Sequence, residues 1–496
     1  MENNIYNLLK KQFKLKPEHK YLNSIESSEL TIRELHNFVL KFNFYLNKKN
    51  IEKQGKIFVI FENCKLLTCL FYGITSSQRI FVPINPSSGK DEIKYIFNKI
   101  KPNLILTDSE FYFKIPKEYK SKIIKIKNHD NFLNEIFNQS LKNITQVYKN
   151  NVAQILFTSG STGKPKAIVL SHESIMHNLY GINKKIKFKK NKNFLAITPV
   201  YHNNGQFIPT LIPLLTFGKT TPSNSLTSIS NFWSLIKSKN IHYSSVMVTH
   251  INYLYYNRKK LKHSLEALFC GGAKLDVNIQ KKFGKFFNVK VLANYGLTEV
   301  SSIASTETFK NYNTGTSGSS LPNNKIHIKK NKSEKFGEIY IEGKNLFKEY
   351  YKDKIITKDR KRGKYFFTGD IGCIDKTGKL IVKDRVDSMF IVSGENIYPN
   401  EIENLANNYN GIKNSFVTGV YDKITSKKIV IIYEGKKNIL LENLNNFLSK
   451  KLSTFKLPKK IWHVSDLNYE EIPKAPNGKI LRKKFNKKLF LNKSFN

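Results

Sequence analysis

The chain of 496 residues reads as an α/β protein in two parts, a large layered part at residues 1–386 and a small α+β part at 387–496. Three observations predict this. Helix-like and strand-like patterns alternate over the first hundred residues, which argues for parallel α/β layering. A polar loop rich in Gly, Ser and Thr lies between two apolar strand-like runs, Ala153 to Leu156 and Ala167 to Leu170. Past residue 387 the chain has short strands and helices of its own, such as 428–433 and 440–452. Length alone allows about three or four domain-sized units.

The elements follow in order. Leu30-Thr31-Ile32-Arg33-Glu34-Leu35 opens a helical stretch that runs towards Leu46, and Lys56 to Phe61 is a short apolar run suited to a buried strand. Leu66 to Ser76 is helix-like and leads to Phe81-Val82-Pro83-Ile84-Asn85-Pro86. Asp91 to Lys101 is helix-like again, and Leu104 to Asp108 is the next strand. From Glu110 to Asn150 many Lys and Asn give no sharp pattern. Leu265 to Phe269 ends a strand at Cys270-Gly271-Gly272-Ala273, and Lys325 to Lys335 reads as a solvated turn between strands. No repeat with a period of 20–50 residues is visible.

Composition excludes several classes. No apolar run approaches the ~20 residues that span a bilayer, and the Lys-containing start lacks an apolar segment and cleavage site behind it. A cytoplasmic setting is expected. Cys64, Cys69, Cys270 and Cys373 are too few for a disulfide framework and contain no Cys-x-x-Cys. His172-Glu173 with His177 misses the His-Glu-x-x-His zinc spacing by one residue. The net charge of +45, from 83 Lys and Arg against 38 Asp and Glu, raises nucleic acid as a partner. The lysines are spread along the whole chain among abundant Asn, Ile, Phe and Tyr, so A/T-rich codon usage accounts for them and no specific nucleic acid is expected. Attraction of small anions is a by-product of such a surface.

The most specific segment is Phe157-Thr158-Ser159-Gly160-Ser161-Thr162-Gly163-Lys164-Pro165-Lys166. Gly160 and Gly163 lack a Cβ, so the backbone can turn its N–H groups onto an anion at close range. Thr158, Ser159, Ser161 and Thr162 add hydroxyl donors, and Lys164 and Lys166 add positive charge. The run suits a phosphate. It is not a Walker loop, because Gly-x-x-x-x-Gly-Lys-Ser/Thr cannot be laid over it.

The segment resembles the phosphate loop of the adenylate-forming superfamily of acyl-CoA synthetases, peptide-synthetase adenylation domains and luciferases, with Ala167 where the family usually has Gly. Further motifs recur in the family's order. By resemblance, Gly271, Gly272 and Ala273 border adenine. In Tyr295-Gly296-Leu297-Thr298-Glu299, Tyr295 stacks on adenine, Thr298 meets the α-phosphate and Glu299 helps to hold Mg²⁺. Ala293 stands where relatives often have a polar group. Asp370 in Phe-Thr-Gly-Asp matches the ribose-binding aspartate, and Arg385 lies near ribose and phosphate. Asp387 matches the hinge, Ser393, Gly394 and Glu395 the segment that meets the thiol, and Lys479 in Gly-Lys-Ile the catalytic lysine. His202, in Tyr-His-Asn-Asn-Gly-Gln, matches a region lining the acyl pocket, and either a catalytic or a structural role fits it. The resemblance implies a fold of αβ layers with a small β-barrel-like part, followed by a mobile C-terminal domain.

It also implies a reaction: a carboxylate attacks the α-phosphate of ATP, pyrophosphate leaves, and a thiol then displaces AMP from the acyl adenylate. ATP, Mg²⁺ and coenzyme A are the implied cofactors, because Ser393 to Glu403 looks closest to CoA-ligase members. A stand-alone adenylation enzyme that loads the phosphopantetheine of an acyl or peptidyl carrier protein is the alternative. A catalytically silent homologue binding anionic partners is a more distant one. Tyr201 to Gln206, the Gly271 region and Val300 to Ile303 are the expected pocket walls, and the neutral character of 300–302 points to an uncharged acyl tail.

Overall fold

The computed structural model describes the chain apart from residues 1, 26–27, 145, 159–164, 260, 274, 332–333, 387, 393–394, 423–425, 475–479 and 483–496, and apart from the side chains of 225–227, 391, 395–396, 421–422 and 426. Contacts divide it into two compact units, residues 1–326 with 341–366, and residues 327–340 with 367–496. The boundary expected from the sequence, at 386/387, rests on resemblance, whereas this division separates two sets of residues that each pack mainly among themselves.

The first unit contains two large sheets. In one, the strands Ile123–Ile126, Leu104–Asp108, Lys56–Ile60, Ile80–Pro83 and Val152–Thr158 run parallel, and Lys166–Ser171 and Glu349–Tyr350 extend the sheet antiparallel at one edge. Its central strands are buried on both faces, which is why they read as near-continuous apolar runs and not as alternating ones. Ile93, Ile96, Phe97 and Ile100 of the helix Lys90–Ile100 close one face against Phe58, Val82 and Ile105. The second sheet holds a parallel run of Lys20–Leu22, Lys219–Pro222, Asn193–Ala196, Tyr243–Met247, Ala267–Gly271 and Lys290–Tyr295. The helix Val277–Phe287 lays Phe283 and Phe287 on its core, beside Val246, Leu268 and Val291.

Local chemistry explains where helices start. Thr31 caps the helix Ile32–Lys48: its hydroxyl accepts from the Glu34 N–H while the Glu34 carboxylate accepts from the Thr31 N–H. The expected helices and strands of the first 110 residues are present within a residue or two of their expected ends. The unread stretch 110–150 holds two 3₁₀ segments, Ser109–Lys114 and Lys117–Lys122, then the strand Ile123–Ile126 and the helix His129–Phe137. One expectation needs correction. Lys325 to Lys335 begins as a strand, Asn324–Lys329, not as a turn, because Lys325, His327 and Lys329 alternate with Ile326 and Ile328, the period of a strand.

The second unit has its own cores. Ile397, Ile402, Val417, Ile431, Leu444 and Leu448 pack together, and Phe416, Ile432, Val464 and Ile472 form another cluster. The strands Ile412–Asp422 and Ser426–Gly435 pair antiparallel, and Lys460–His463 adds a parallel edge. The smaller β part, among the described residues, is an open five-stranded sheet that includes Tyr365–Ile374 and Leu380–Arg385. No helix among the described residues is long and apolar enough to cross a membrane.

Candidate active site

The residues that flank the phosphate-type segment lie on the two strands of a hairpin. Val152–Thr158 and Lys166–Ser171 pair antiparallel with Thr158 opposite Lys166. Buried residues 153–156 and 167–170 hold these strands in the sheet. Thr158 and Lys166 are therefore the paired ends of the two strands. Ser159, Gly160, Ser161, Thr162, Gly163 and Lys164 lie outside the described residues.

From Lys166 a line of contacts leads to Glu299. The Lys166 Nζ lies 5.4 Å from the centroid of the Tyr350 ring, a cation–π distance. Tyr350 is placed there because Glu349–Tyr350 pairs with the hairpin's second strand, Tyr350 opposite Ile168. Its hydroxyl donates to Glu299 Oε1 at 2.7 Å. The Glu299 carbonyl accepts from the Phe347 N–H at 2.7 Å, so backbone and side chain are both held. Glu299 is only 9% exposed, and Thr298–Val300 form a single 3₁₀ turn after the strand ending at Tyr295. The turn needs Gly296: a Cβ there would stand 1.7 Å from the Ser302 carbonyl oxygen. The Thr298 carbonyl accepts from the Asn203 amide at 3.5 Å. One carboxylate with a fixed oxygen, linked through Tyr350 to Lys166, is a donor set that fits Mg²⁺, which takes few protein ligands and completes its shell with phosphate and water. Among the described residues no cluster of three or more His, Cys, Asp or Glu makes an all-protein metal cage.

The other nucleotide-type residues meet at the C-terminal ends of neighbouring parallel strands, where α/β sheets place their ligands. Ala267–Gly271 and Lys290–Tyr295 pair with Cys270 opposite Ala293. Gly271 thus lies against Asn294, and Gly272 follows at φ +87° with open space where a Cβ would be. Ala273, next along, is half-buried, and Tyr295 is buried at the end of its strand. Sequence reasoning passed over Asn294. Its Oδ1 accepts from the Thr306 hydroxyl at 2.9 Å, but its Nδ2 is buried without a partner among the described residues. A buried donor in that condition is costly, by roughly 1–3 kcal/mol, unless a ligand satisfies it.

His202 follows a clamped segment. Asn63 donates to the carbonyls of Ala196 and Thr198 at 3.1 and 2.9 Å, and its Oδ1 accepts from the Val200 N–H at 2.9 Å. The Tyr201 and His202 rings stand edge to face at 4.9 Å. Burial holds the His202 imidazole down at about 4, so it is neutral at physiological pH. Burial likewise raises the Tyr201 phenol, helped by the charge of Glu62. Beyond His202, the amide oxygens of Asn203, Asn204 and Gln206 are buried without partners among the described residues. His172, in the near-miss zinc pattern, is instead a fully buried neutral acceptor for the Ile5 N–H at 3.4 Å; burial holds it down at about 3.

In the second unit, Asp370 and Arg385 lie opposite each other on the antiparallel pair Tyr365–Ile374 and Leu380–Arg385. The Arg385 Nη1 donates to Asp370 Oδ1 at 3.0 Å and to the Thr368 carbonyl at 3.1 Å. Asp384 accepts from the N–H groups of Arg385 and Asn400, tying this strand to the helix Pro399–Ala406. Asp387, Ser393, Gly394 and Lys479 lie outside the described residues, and of Glu395 only the backbone is described, in the strand Glu395–Ile397. The residues flanking Lys479 are fixed: Lys474 and Ile480 form an antiparallel bridge, and the Leu481 N–H donates to the Pro473 carbonyl at 2.9 Å. Arg482 is bound to the buried Glu403 at 2.7 Å.

Strand ends, hairpin and acidic turn together define an α/β enzyme of the nucleotide-handling kind. The chain belongs to the AMP-binding enzyme family, whose model matches residues 9–351, well over half of it. Among its relatives, a 2-succinylbenzoate–CoA ligase of Staphylococcus epidermidis is 29% identical over 337 residues, 67% of this chain and 69% of that protein. A 2-succinylbenzoate–CoA ligase of Staphylococcus aureus is 26% identical over 395 residues, 79% of this chain and 77% of that one. The crystal structure of ATP-bound MatB from Rhodopseudomonas palustris matches with a TM-score of 0.88 at 20% identity, covering 99% of this chain and all of that one. The o-succinylbenzoate–CoA synthetase of Bacillus subtilis, in complex with its acyl-adenylate intermediate, matches with a TM-score of 0.85 at 20% identity over 97% of each chain. At such identity these two structures establish the fold.

Proposed function

We propose that this chain is an AMP-forming acid–CoA ligase, which activates a carboxylic acid as its acyl adenylate with release of pyrophosphate and then passes the acyl group to CoA. The observation that carries this reading is the line Lys166–Tyr350–Glu299 at the mouth of the 158–166 turn, inside the region matched by the AMP-binding family. In it a carboxylate is locked in place beside a cationic, hydroxyl-rich segment. When bound, Mg²⁺ would sit on Glu299 and offset phosphate charge.

Two anions must approach each other, so the protein's task is neutralisation and alignment. Thr158 to Lys166 hold the departing pyrophosphate, Thr298 meets the α-phosphate, and Lys479 bridges the attacking carboxylate and that phosphate. Gly271, Gly272, Ala273 and Tyr295 flank the adenine, with the unpaired Asn294 amide as an added donor. Asp370 takes the ribose hydroxyls, and Arg385, bound to it, orients the carboxylate. The neutral His202 and the unpaired amide oxygens of Asn203, Asn204 and Gln206 suit an uncharged acyl tail that carries a hydrogen-bond donor. Coenzyme A is the acceptor, with a carrier protein as the second reading, and the cytoplasm, where ATP and CoA are abundant, is the setting. Replacement of Lys479 by Ala should lower ATP–pyrophosphate exchange by at least roughly 100-fold while ATP still binds in equilibrium dialysis. Normal exchange in that variant would defeat the assignment of Lys479.

A further inference from the structure

Ser301, two residues after Glu299, is the strained point of the acidic turn. It is fully buried, and its backbone sits at φ +64° and ψ −8°, in the left-handed region that Gly, Asn and Asp enter more readily than Ser. Such a conformation persists only where the surroundings over-determine it, and it gathers at functional sites.

The surroundings that hold it are side chains bonded to the backbone of the turn. The Asn178 amide nitrogen donates to the Val300 carbonyl at 3.2 Å and to the Ile303 carbonyl at 2.7 Å, and its oxygen accepts from the Ile303 N–H at 3.3 Å. One side chain thus ties the residue before Ser301 to the residue two after it. From another segment, the Asn345 amide donates to the same Val300 carbonyl at 3.2 Å, and the Asn345 carbonyl accepts from the Ser301 hydroxyl at 2.8 Å.

Asn178 is fully buried in the middle of the helix His172–Ile186. Asn is a poor helix former and costly to bury unless its amide is used, and here both ends of the amide are. The helix starts directly from the hairpin: Ser171, the last residue of the strand Lys166–Ser171, caps it by accepting from the Ser174 N–H at 3.2 Å. The strand that carries Lys166 and the turn that carries Glu299 are therefore linked twice, once through Tyr350 and once through Asn178.

We propose that Asn178 is a positioning residue for Glu299: by pinning Val300 and Ile303 it holds the left-handed Ser301 in place, and so keeps the Glu299 carboxylate aimed for the metal of a Mg²⁺–nucleotide complex. The proposal rests on the reading of Glu299 as the Mg²⁺ ligand. Its effect runs through the backbone of the turn.

The test is a binding measurement on the full chain with no acid present. Equilibrium dialysis follows α,β-methylene-ATP, which cannot be cleaved between its α- and β-phosphates, at rising Mg²⁺. Two quantities are read, the nucleotide affinity without Mg²⁺ and the Mg²⁺ concentration that gives half of the tightening. Asn178→Ala should raise the second by roughly tenfold, the loss of about one to two neutral hydrogen bonds, and leave the first within about twofold. Adding Ser301→Gly, which takes a positive φ without strain, should return most of that loss. Asn178→Asp has the same shape and still accepts from the Ile303 N–H but cannot donate to both carbonyls, so it supplies the same readout should Asn178→Ala fail to fold. Glu299→Gln is the reference and should abolish the tightening. The proposal alone is overturned if Glu299→Gln does so while the Asn178 variants keep the wild-type Mg²⁺ requirement, if those variants weaken binding equally with and without Mg²⁺, or if Ser301→Gly restores nothing. A wild-type Mg²⁺ response in Glu299→Gln would overturn the reading of Glu299 itself and this proposal with it.

Discussion

Tyr350 serves two groups at once: its hydroxyl fixes Glu299 Oε1 at 2.7 Å and its ring faces Lys166 at 5.4 Å. Tyr350→Phe keeps the ring and removes only the hydroxyl. The loss of one hydrogen bond to a charged group, about 1.5–3 kcal/mol, should lower pyrophosphate exchange roughly tenfold and raise the Mg²⁺ concentration needed for half-maximal rate, with thermal stability little changed. An unaltered Mg²⁺ dependence would show that Tyr350 only packs. The contrast with Glu299 shows what is legible in a sequence. Tyr295 to Glu299 are contiguous, and their combination of aromatic ring, glycine, hydroxyl and carboxylate can be recognised as it stands. Tyr350 lies 51 residues further on and reaches Glu299 only because a two-residue strand pairs with the hairpin's second strand. Asn294 is hidden differently, since a single Asn in a strand gives no sign that its amide will be left buried and unpaired.

At the scale of elements, the helices and strands before residue 110 were readable because they bury a periodic set of side chains, as Ile93, Ile96, Phe97 and Ile100 do. The stretch after it was not, because Ser109–Lys114 and Lys117–Lys122 bury no residue and so carry no period. That stretch is nonetheless tied down, by His129 donating to Asp108 at 2.7 Å between a strand end and a helix start. The bond to Asp108 raises the His129 imidazole from 6.5 to about 10. A group with a raised folded value stabilises the fold fully below its unfolded value and loses that contribution as pH climbs through the folded one. The melting-temperature gap between wild type and His129→Gln should therefore be widest below pH 6.5 and close as pH rises towards about 10. A gap that stays constant across that range would mean that the pair contributes by packing, not by charge.

On the scale of the whole molecule, the chain divides into two units with separate cores, and Lys479, Asp370 and Arg385 belong to the second while the phosphate-type turn and Glu299 belong to the first. The family order of motifs names these groups by resemblance, and Lys479 and the hinge at Asp387 lie outside the described residues. Asp387→Pro, which restricts the backbone there, should leave acid-dependent pyrophosphate exchange within about twofold of wild type while blocking CoA thioester formation; equal loss of both half-reactions would remove the hinge. The lysines behind the net charge of +45 are spread along the chain, and a surface of that kind attracts small anions. The central claim is that this molecule makes acyl adenylates, and ATP–pyrophosphate exchange over a panel of aliphatic, aromatic and amino acids tests it most directly. The account predicts exchange that depends on at least one of these acids, requires Mg²⁺ and vanishes in Lys479→Ala. Exchange with none of them, or ATP cleaved to ADP and phosphate instead of AMP and pyrophosphate, would contradict it.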